Sequence, residues 1–104
     1  MDYNVVLTTD AEEDLNLCIR YLLIEKKSEQ AAKNVMDDFE ATIQSLKNVA
    51  GSLKLCDNPR LKAMCYHRIN FFEHRYFILY RIVENIVFVD NIFHELQDYE
   101  NKMS

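Results

Sequence analysis

Residues 66–82 read YHRINFFEHRYFILYRI. The aromatic and β-branched density is that of buried strands, yet the stretch carries Arg68, Arg75, Arg81, His67 and His74, with Arg60 just upstream. Strand alternation separates the two characters. In the second half, Tyr76, Ile78, Tyr80 and Ile82 share one face, and Phe77, Leu79, Arg81 and Val83 share the other. In the first half, Tyr66, Arg68, Asn70 and Phe72 oppose Cys65, His67, Ile69 and Phe71. The face with Arg68 and Asn70 is the more polar, so it is the expected open face, joined by Arg81 from the next strand. His74 and Arg75 fall in the turn between the strands.

The elements around this hairpin follow from pattern. Strands are expected at about 64–72, 75–83 and 86–93, the last two joined by the two-residue turn Glu84–Asn85, where Asn tolerates positive φ. Strands so close in sequence pair antiparallel. At the other end, YNVVLT (3–8) reads as a first strand. TDAEE then opens a helix, with Thr9 as N-cap, Glu12 as its capping-box partner, and acids at the positive end of the dipole. Apolar residues at 11, 15, 18, 19, 22 and 23 form one helical face. Ser28 caps a second helix, whose inward residues are Ala32, Val35, Met36, Phe39, Ile43, Leu46 and Val49, and Gly51 stands where a helix C′ residue is favoured. Residues 51–62, GSLKLCDNPRLK, have no periodicity and read as a loop. The expected class is α+β in the order β-α-α-β-β-β. An N-terminal helix hairpin packs on one face of a small antiparallel sheet, and residues 1–104 form a single domain.

Composition narrows the function. One Gly in 104 residues excludes glycine-rich phosphate loops. Three cysteines, Cys18, Cys56 and Cys65, form no C-x-x-C pair, as in a reduced compartment. No apolar run reaches membrane-span length, and the opening MDYNVVLTTD lacks a signal-peptide layout, so the expected location is the cytoplasm with no membrane partner. The irregular placement of His67, His74 and His94 gives no metal-ligand spacing, and neither metal nor cofactor is expected. The net charge is −5, but residues 1–50 carry ten acids against five bases, whereas 54–81 are locally basic. That balance disfavours nonspecific coating of nucleic acid and leaves room for a small basic site. RNA cleavage at such a site needs a base for the 2′-hydroxyl, a cation for the phosphate and an acid for the leaving oxygen. His94 or His74 suits acid or base work, Arg68 and Arg81 suit phosphate, and Tyr99 or Glu95 stands in the tail to assist.

The wording of the chain also resembles a known superfamily. YNVVLTTDAEEDLNLCIRYL is similar to the first strand and T-x-x-A-E-x-D-L helix start of the RelE/ParE toxins of bacterial type II toxin–antitoxin systems. YHRINFFEHRYFILYRIVENIVFVDNIFHELQD is similar to their R…Y-x-I-x-Y-R-I…V-x-V…H-x-x-x-D half. The resemblance covers residues 3–98. It implies a growth-inhibiting toxin neutralised by a cognate antitoxin, and two alternative targets. RelE-like members cut mRNA on the ribosome without metal; ParE-like members poison DNA gyrase. Arg68 matches the family's strand arginine, Tyr80–Arg81 its Y-R pair, and His94 and Asp98 its H-x-x-x-D tail. Arg68, Arg81, His94 and Tyr99 are then the catalytic candidates for the nuclease alternative. The acidic tail HELQDYENKM and the net charge of −5 favour the ParE-like branch. A non-toxic module that only binds antitoxin is the third reading. An antitoxin segment with acidic residues is expected on the basic open face of the sheet.

Overall fold

In the computed structural model, which describes residues 3–96, strand β1 (Asn4–Leu7) leads directly into helix α1 (Thr9–Ile24). The N-cap is Thr8, one residue ahead of the Thr9 chosen by the capping-box pattern. Thr8 Oγ1 accepts from the Ala11 amide at 3.3 Å and donates to the Val89 carbonyl at 3.1 Å. A bond to a distant strand therefore decides between two adjacent threonines. Helix α2 (Glu29–Val49) begins as expected, with Ser28 Oγ accepting from the Ala31 amide at 3.0 Å. It buries Ala32, Val35, Phe39 and Leu46.

A 3-10 turn (Ala50–Ser52) ends α2, and Gly51 does not take the left-handed C′ conformation expected of it. Its role is close approach: a Cβ there would lie 2.2 Å from the Tyr3 hydroxyl. The segment expected to be loop contains a short helix, α3 (Pro59–Ala63). Asn58 Oδ1 caps it by accepting from the Arg60 and Leu61 amides, and Pro59 occupies the first turn, where its missing N–H costs nothing. Asp-Asn-Pro thus starts a helix here rather than simply turning the chain. Met64 and Cys65 turn out of α3, Cys65 with φ 64°, so β2 is only His67–Asn70. Strands β3 (Tyr76–Val83) and β4 (Ile86–His94) follow, and their turn puts Glu84, not Asn85, at positive φ.

The sheet order is β1-β4-β3-β2. The last three strands pair antiparallel as expected, while β1 lies parallel to β4, making the sheet mixed. The β2-β3-β4 meander occupies both sides of β3, so the outer edge of β4 remains for β1. The α1–α2 hairpin packs on one face, around Val35, Phe39, Ile78, Tyr80, Val87, Val89 and Ile92. On the opposite face, α3 and its flanks cover Phe77, Leu79 and Phe93 with Cys56, Leu61 and Tyr66. Part of the face expected to be open is therefore a second small core.

One buried carboxylate ties α2 to the β2–β3 turn. Asp38, with a side chain 1% exposed, accepts from the amides of Phe72, Glu73 and His74, each at 2.9 Å, and from His74 Nδ1 at 2.7 Å. Burial pushes its carboxyl pKa up, but these hydrogen bonds outweigh burial and hold it below the ordinary value. Because the folded-state pKa is the lower one, the stabilisation is complete above the unfolded carboxyl pKa of about 4. It is lost as pH falls through the folded value. Asp38→Ala is expected to lower unfolding free energy at pH 7 by about 2–4 kcal/mol in urea titrations, since it removes the shared acceptor of three partly buried turn amides and His74 Nδ1. The gap from wild type should narrow in titrations repeated progressively below pH ~4.

Candidate functional site

The open face is best read from its two arginines. Arg68 stands opposite Leu79, and its guanidinium carbon lies over Phe77, 3.8 Å from the ring centroid. Its Nε donates to Asn70 Oδ1 at 2.9 Å, and Nη2 lies 3.9 Å from Glu95 Oε1. Arg81 grips Asp90 with both Nε, at 2.5 Å, and Nη2, at 3.2 Å. The Tyr66 hydroxyl joins this pair. The hydrogen bond to Asp90 raises the already high guanidinium pKa of Arg81. Burial, followed by the bond to Asp90, raises the Tyr66 phenol. Each arginine expected to hold phosphate is thus engaged by a carboxylate or a ring of its own fold.

Asp90 reaches Arg81 because β4 is bulged. Leu79 pairs with Asn91 and Tyr80 with Val89, leaving Asp90 as an extra residue. Alternation changes phase there: Val87 and Val89 face the helices before the bulge, and Ile92 does so after it. The word VFVDNIF carries this signal, because its buried valines occupy odd positions and its isoleucine an even one.

The change of phase brings His94 to the helix side, away from the two arginines. Its ring stands edge-on to Tyr76, with centroids 5.1 Å apart, and Nδ1 accepts from the Leu96 amide at 3.1 Å. Tyr99 and Asp98 lie outside the described residues. The structure brings Arg68 and Arg81 onto one face of the sheet and separates His94 from them. His74 is held in the turn by Asp38, and Glu95 stands beside Arg68.

His94 instead lines a groove of about 860 Å³ between α1 and the end of β4. Its apolar walls are Leu17 and Tyr21 of α1, Tyr76, Ile92 and Leu96. Leu17 and Leu96 are 62% and 81% exposed, large values for leucines on adjoining elements. Leu17, Tyr21 and Ile24 follow helical spacing on a face of α1 separate from the core stripe. That second stripe was legible in the sequence, and attention to the core-facing positions passes over it. Asp14 closes one end, where its Oδ2 accepts from the Ile92 amide at 3.0 Å and Asn91 Nδ2 at 3.3 Å. Its carboxylate satisfies an edge amide of β4 beyond the last residue paired with β1. Within the groove, burial raises the Cys18 thiol pKa and the Tyr76 phenol pKa, and the two side chains hydrogen-bond each other.

Among the described residues, no group of three or more His, Cys, Asp or Glu is placed to hold a metal ion. No helix among them is long and apolar enough to cross a membrane.

Comparison with known proteins adds to this geometry. The family model for the ParE toxin of the type II toxin–antitoxin system parDE matches residues 5–99. A solved structure described as the chromosomal ParDE TA system from P. aeruginosa superposes with a TM-score of 0.69. The match is at 14% identity and covers 88% of this chain and 95% of that one, a likeness of fold. A search of curated proteins finds no match. With strand, helix hairpin and three-stranded meander in the expected order, and a family match spanning nearly the whole chain, the protein belongs to the ParE toxin family of type II toxin–antitoxin systems.

Proposed function

We propose that the chain is a growth-inhibiting toxin that acts through protein contacts, with DNA gyrase as its target, and that a cognate antitoxin neutralises it. The observation that carries this reading is the engagement of Arg68 by Phe77 and Glu95 and of Arg81 by Asp90. A ribosome-dependent mRNA endonuclease needs cations aimed at a scissile phosphate. Here, using either arginine in that way means breaking contacts inside the fold. The net charge of −5 also opposes docking on ribosomal RNA. His94, the candidate acid or base, stands on the other side of the sheet and supports the same choice.

The antitoxin surface is the groove beside α1. The antitoxin was expected on the open face, but α3 covers part of that face, and Arg68 and Arg81 there already stand beside Glu95 and Asp90. Leu17, Tyr21 and Leu96 provide apolar contact area without a covering element among the described residues. An amphipathic antitoxin segment laying its apolar side there would use the helix-in-groove mode.

Two measurements test this reading. Purified toxin should inhibit gyrase supercoiling at concentrations that arrest growth. Primer extension after induction should show no new cuts at the ribosomal A site; codon-specific cuts there would establish the nuclease instead. For the groove, Leu17→Glu combined with Tyr21→Ala should weaken antitoxin binding at least 100-fold by calorimetry, the loss of about 3 kcal/mol or more at an interface centre. Supercoiling inhibition by the same variant should persist, because its two changes lie on exposed positions of α1.

A further inference from the structure

The outer edge of β1 has no strand partner among the described residues, because the sheet ends there. Which backbone groups this edge displays follows from the ladder with β4. Asn4 donates its amide to the Asn85 carbonyl at 2.9 Å, and Thr8 donates to the Val89 carbonyl at 3.0 Å. Backbone groups of successive strand residues point to opposite sides, so Asn4, Val6 and Thr8 turn their N–H and C=O groups toward β4. Val5 and Leu7 turn theirs outward, while their side chains pack against the helix-side core. Natural sheet edges are commonly guarded by a lysine, a proline or a bulge. Asn4–Leu7 has none of these, and its register with β4 is unbroken.

Alongside this edge lies a groove of about 530 Å³, lined by Tyr3, Asn4 and Val5 and, from α2, by Gln44, Lys47 and Asn48. Outward backbone groups at every second residue are matched by another extended strand, and a second copy of β1 matches them completely. In antiparallel two-fold pairing, Val6 opposite Val6 of the second copy sets Val5 opposite Leu7 and Leu7 opposite Val5. Every outward N–H and C=O group of both copies is then bonded. Moving the axis to Val5 or to Leu7 loses this match, because Tyr3 already donates its amide to the Lys47 carbonyl and Thr9 belongs to α1. The same register brings the Val6 side chains, each 45% exposed, together as a close non-hydrogen-bonded pair. It also sets Tyr3 opposite Thr9. Lys47, whose carbonyl holds Tyr3, thereby comes alongside the first turn of α1 of the second copy, where Asp10 and Glu12 are exposed. Within its own chain, neither Lys47 nor Asp10 has an ion-pair partner among the described residues.

We infer that β1 pairs antiparallel with β1 of a second copy of this chain, about a two-fold axis at Val6, with Lys47–Asp10 contacts on either side of the axis. Two sheets then continue as one. The occupant is fixed by hydrogen-bond phase and by charge together: the register that bonds the whole edge is the one that meets Lys47 with acids. An edge of 4 residues buries less than the roughly 1,600 Å² of a standard stable interface, so the dimer forms with a Kd on the order of 10–100 µM. None of the residues lining the groove beside α1 comes from β1 or α2, so pairing leaves that groove open. The inference therefore stands independently of the proposed target and antitoxin surface.

Sedimentation velocity on the full-length protein between about 5 and 500 µM tests this, and wild type should pass from monomer to dimer across that range. Val6→Lys, at an exposed position, opposes two ammonium groups across the axis. It should weaken dimerisation about tenfold or more while keeping a cooperative thermal transition. Lys47→Glu and Asp10→Lys should each weaken it about fivefold, because either change alone makes like charges meet at both contacts. An equimolar mixture of those two variants should associate within about twofold of wild type, since both contacts of the mixed dimer again join opposite charges. Wild type that stays monomeric throughout would overturn the inference. So would dimerisation unchanged by Val6→Lys, or a mixture that fails to recover. Loss of antitoxin binding in Val6→Lys, with wild type monomeric, would overturn it by giving the edge to an antitoxin strand.

Discussion

The extra residue at Asp90 governs what both faces of the sheet display. A regular β4 would keep one alternation from Ile86 to His94 and could not place both Val89 and Ile92 against the helices. The bulge resets the phase, so the helix-side core continues through Ile92 while Phe93 turns to the second core under α3. The same irregularity delivers a carboxylate to Arg81. Bulges commonly re-aim side chains near functional surfaces, and here one bulge defines three: the paired arginine, the α3-covered core and the wall of the α1 groove.

Charge inside this fold is used mainly to hold its parts together. Asp38 fastens the β2–β3 turn to α2, Asp14 satisfies an edge amide of β4, and Asp90 immobilises Arg81. These acids reach across elements to groups that would otherwise lose their hydrogen bonds on burial. Acidic composition is therefore partly structural, and Arg68 and Arg81 within the basic stretch 66–82 both stand beside acids of the fold. Exposed apolar area, by contrast, gathers beside α1 at Leu17, Tyr21 and Leu96.

Much of the architecture was legible before any coordinate. Period-2 and period-3.6 patterns identified the helix hairpin, the three late strands and the common face of Arg68 and Arg81. Family wording in both halves pointed to the superfamily that the match over residues 5–99 establishes. Errors occurred where a local rule met a long-range contact. Thr8 rather than Thr9 caps α1 because Val89 accepts its hydroxyl, and Gly51 is small because Tyr3 lies against it. The helix at Pro59–Ala63 was hidden in a segment whose Asn-Pro suits either a turn or a cap, and the apolar underside of the sheet favours the cap.

What the sequence determined by itself was periodicity, and therefore element type, order and the inward face of each element. Side-chain spacing is a local property, and it survives in any compact arrangement of the chain. Tertiary structure alone decided which charges were already spoken for. The sequence shows that Arg68 and Arg81 suit phosphate; only the fold shows Phe77 and Glu95 beside Arg68 and Asp90 beside Arg81. The partner of a charge is set by through-space distance, because electrostatic attraction and hydrogen bonding act between groups near in space however far apart in sequence.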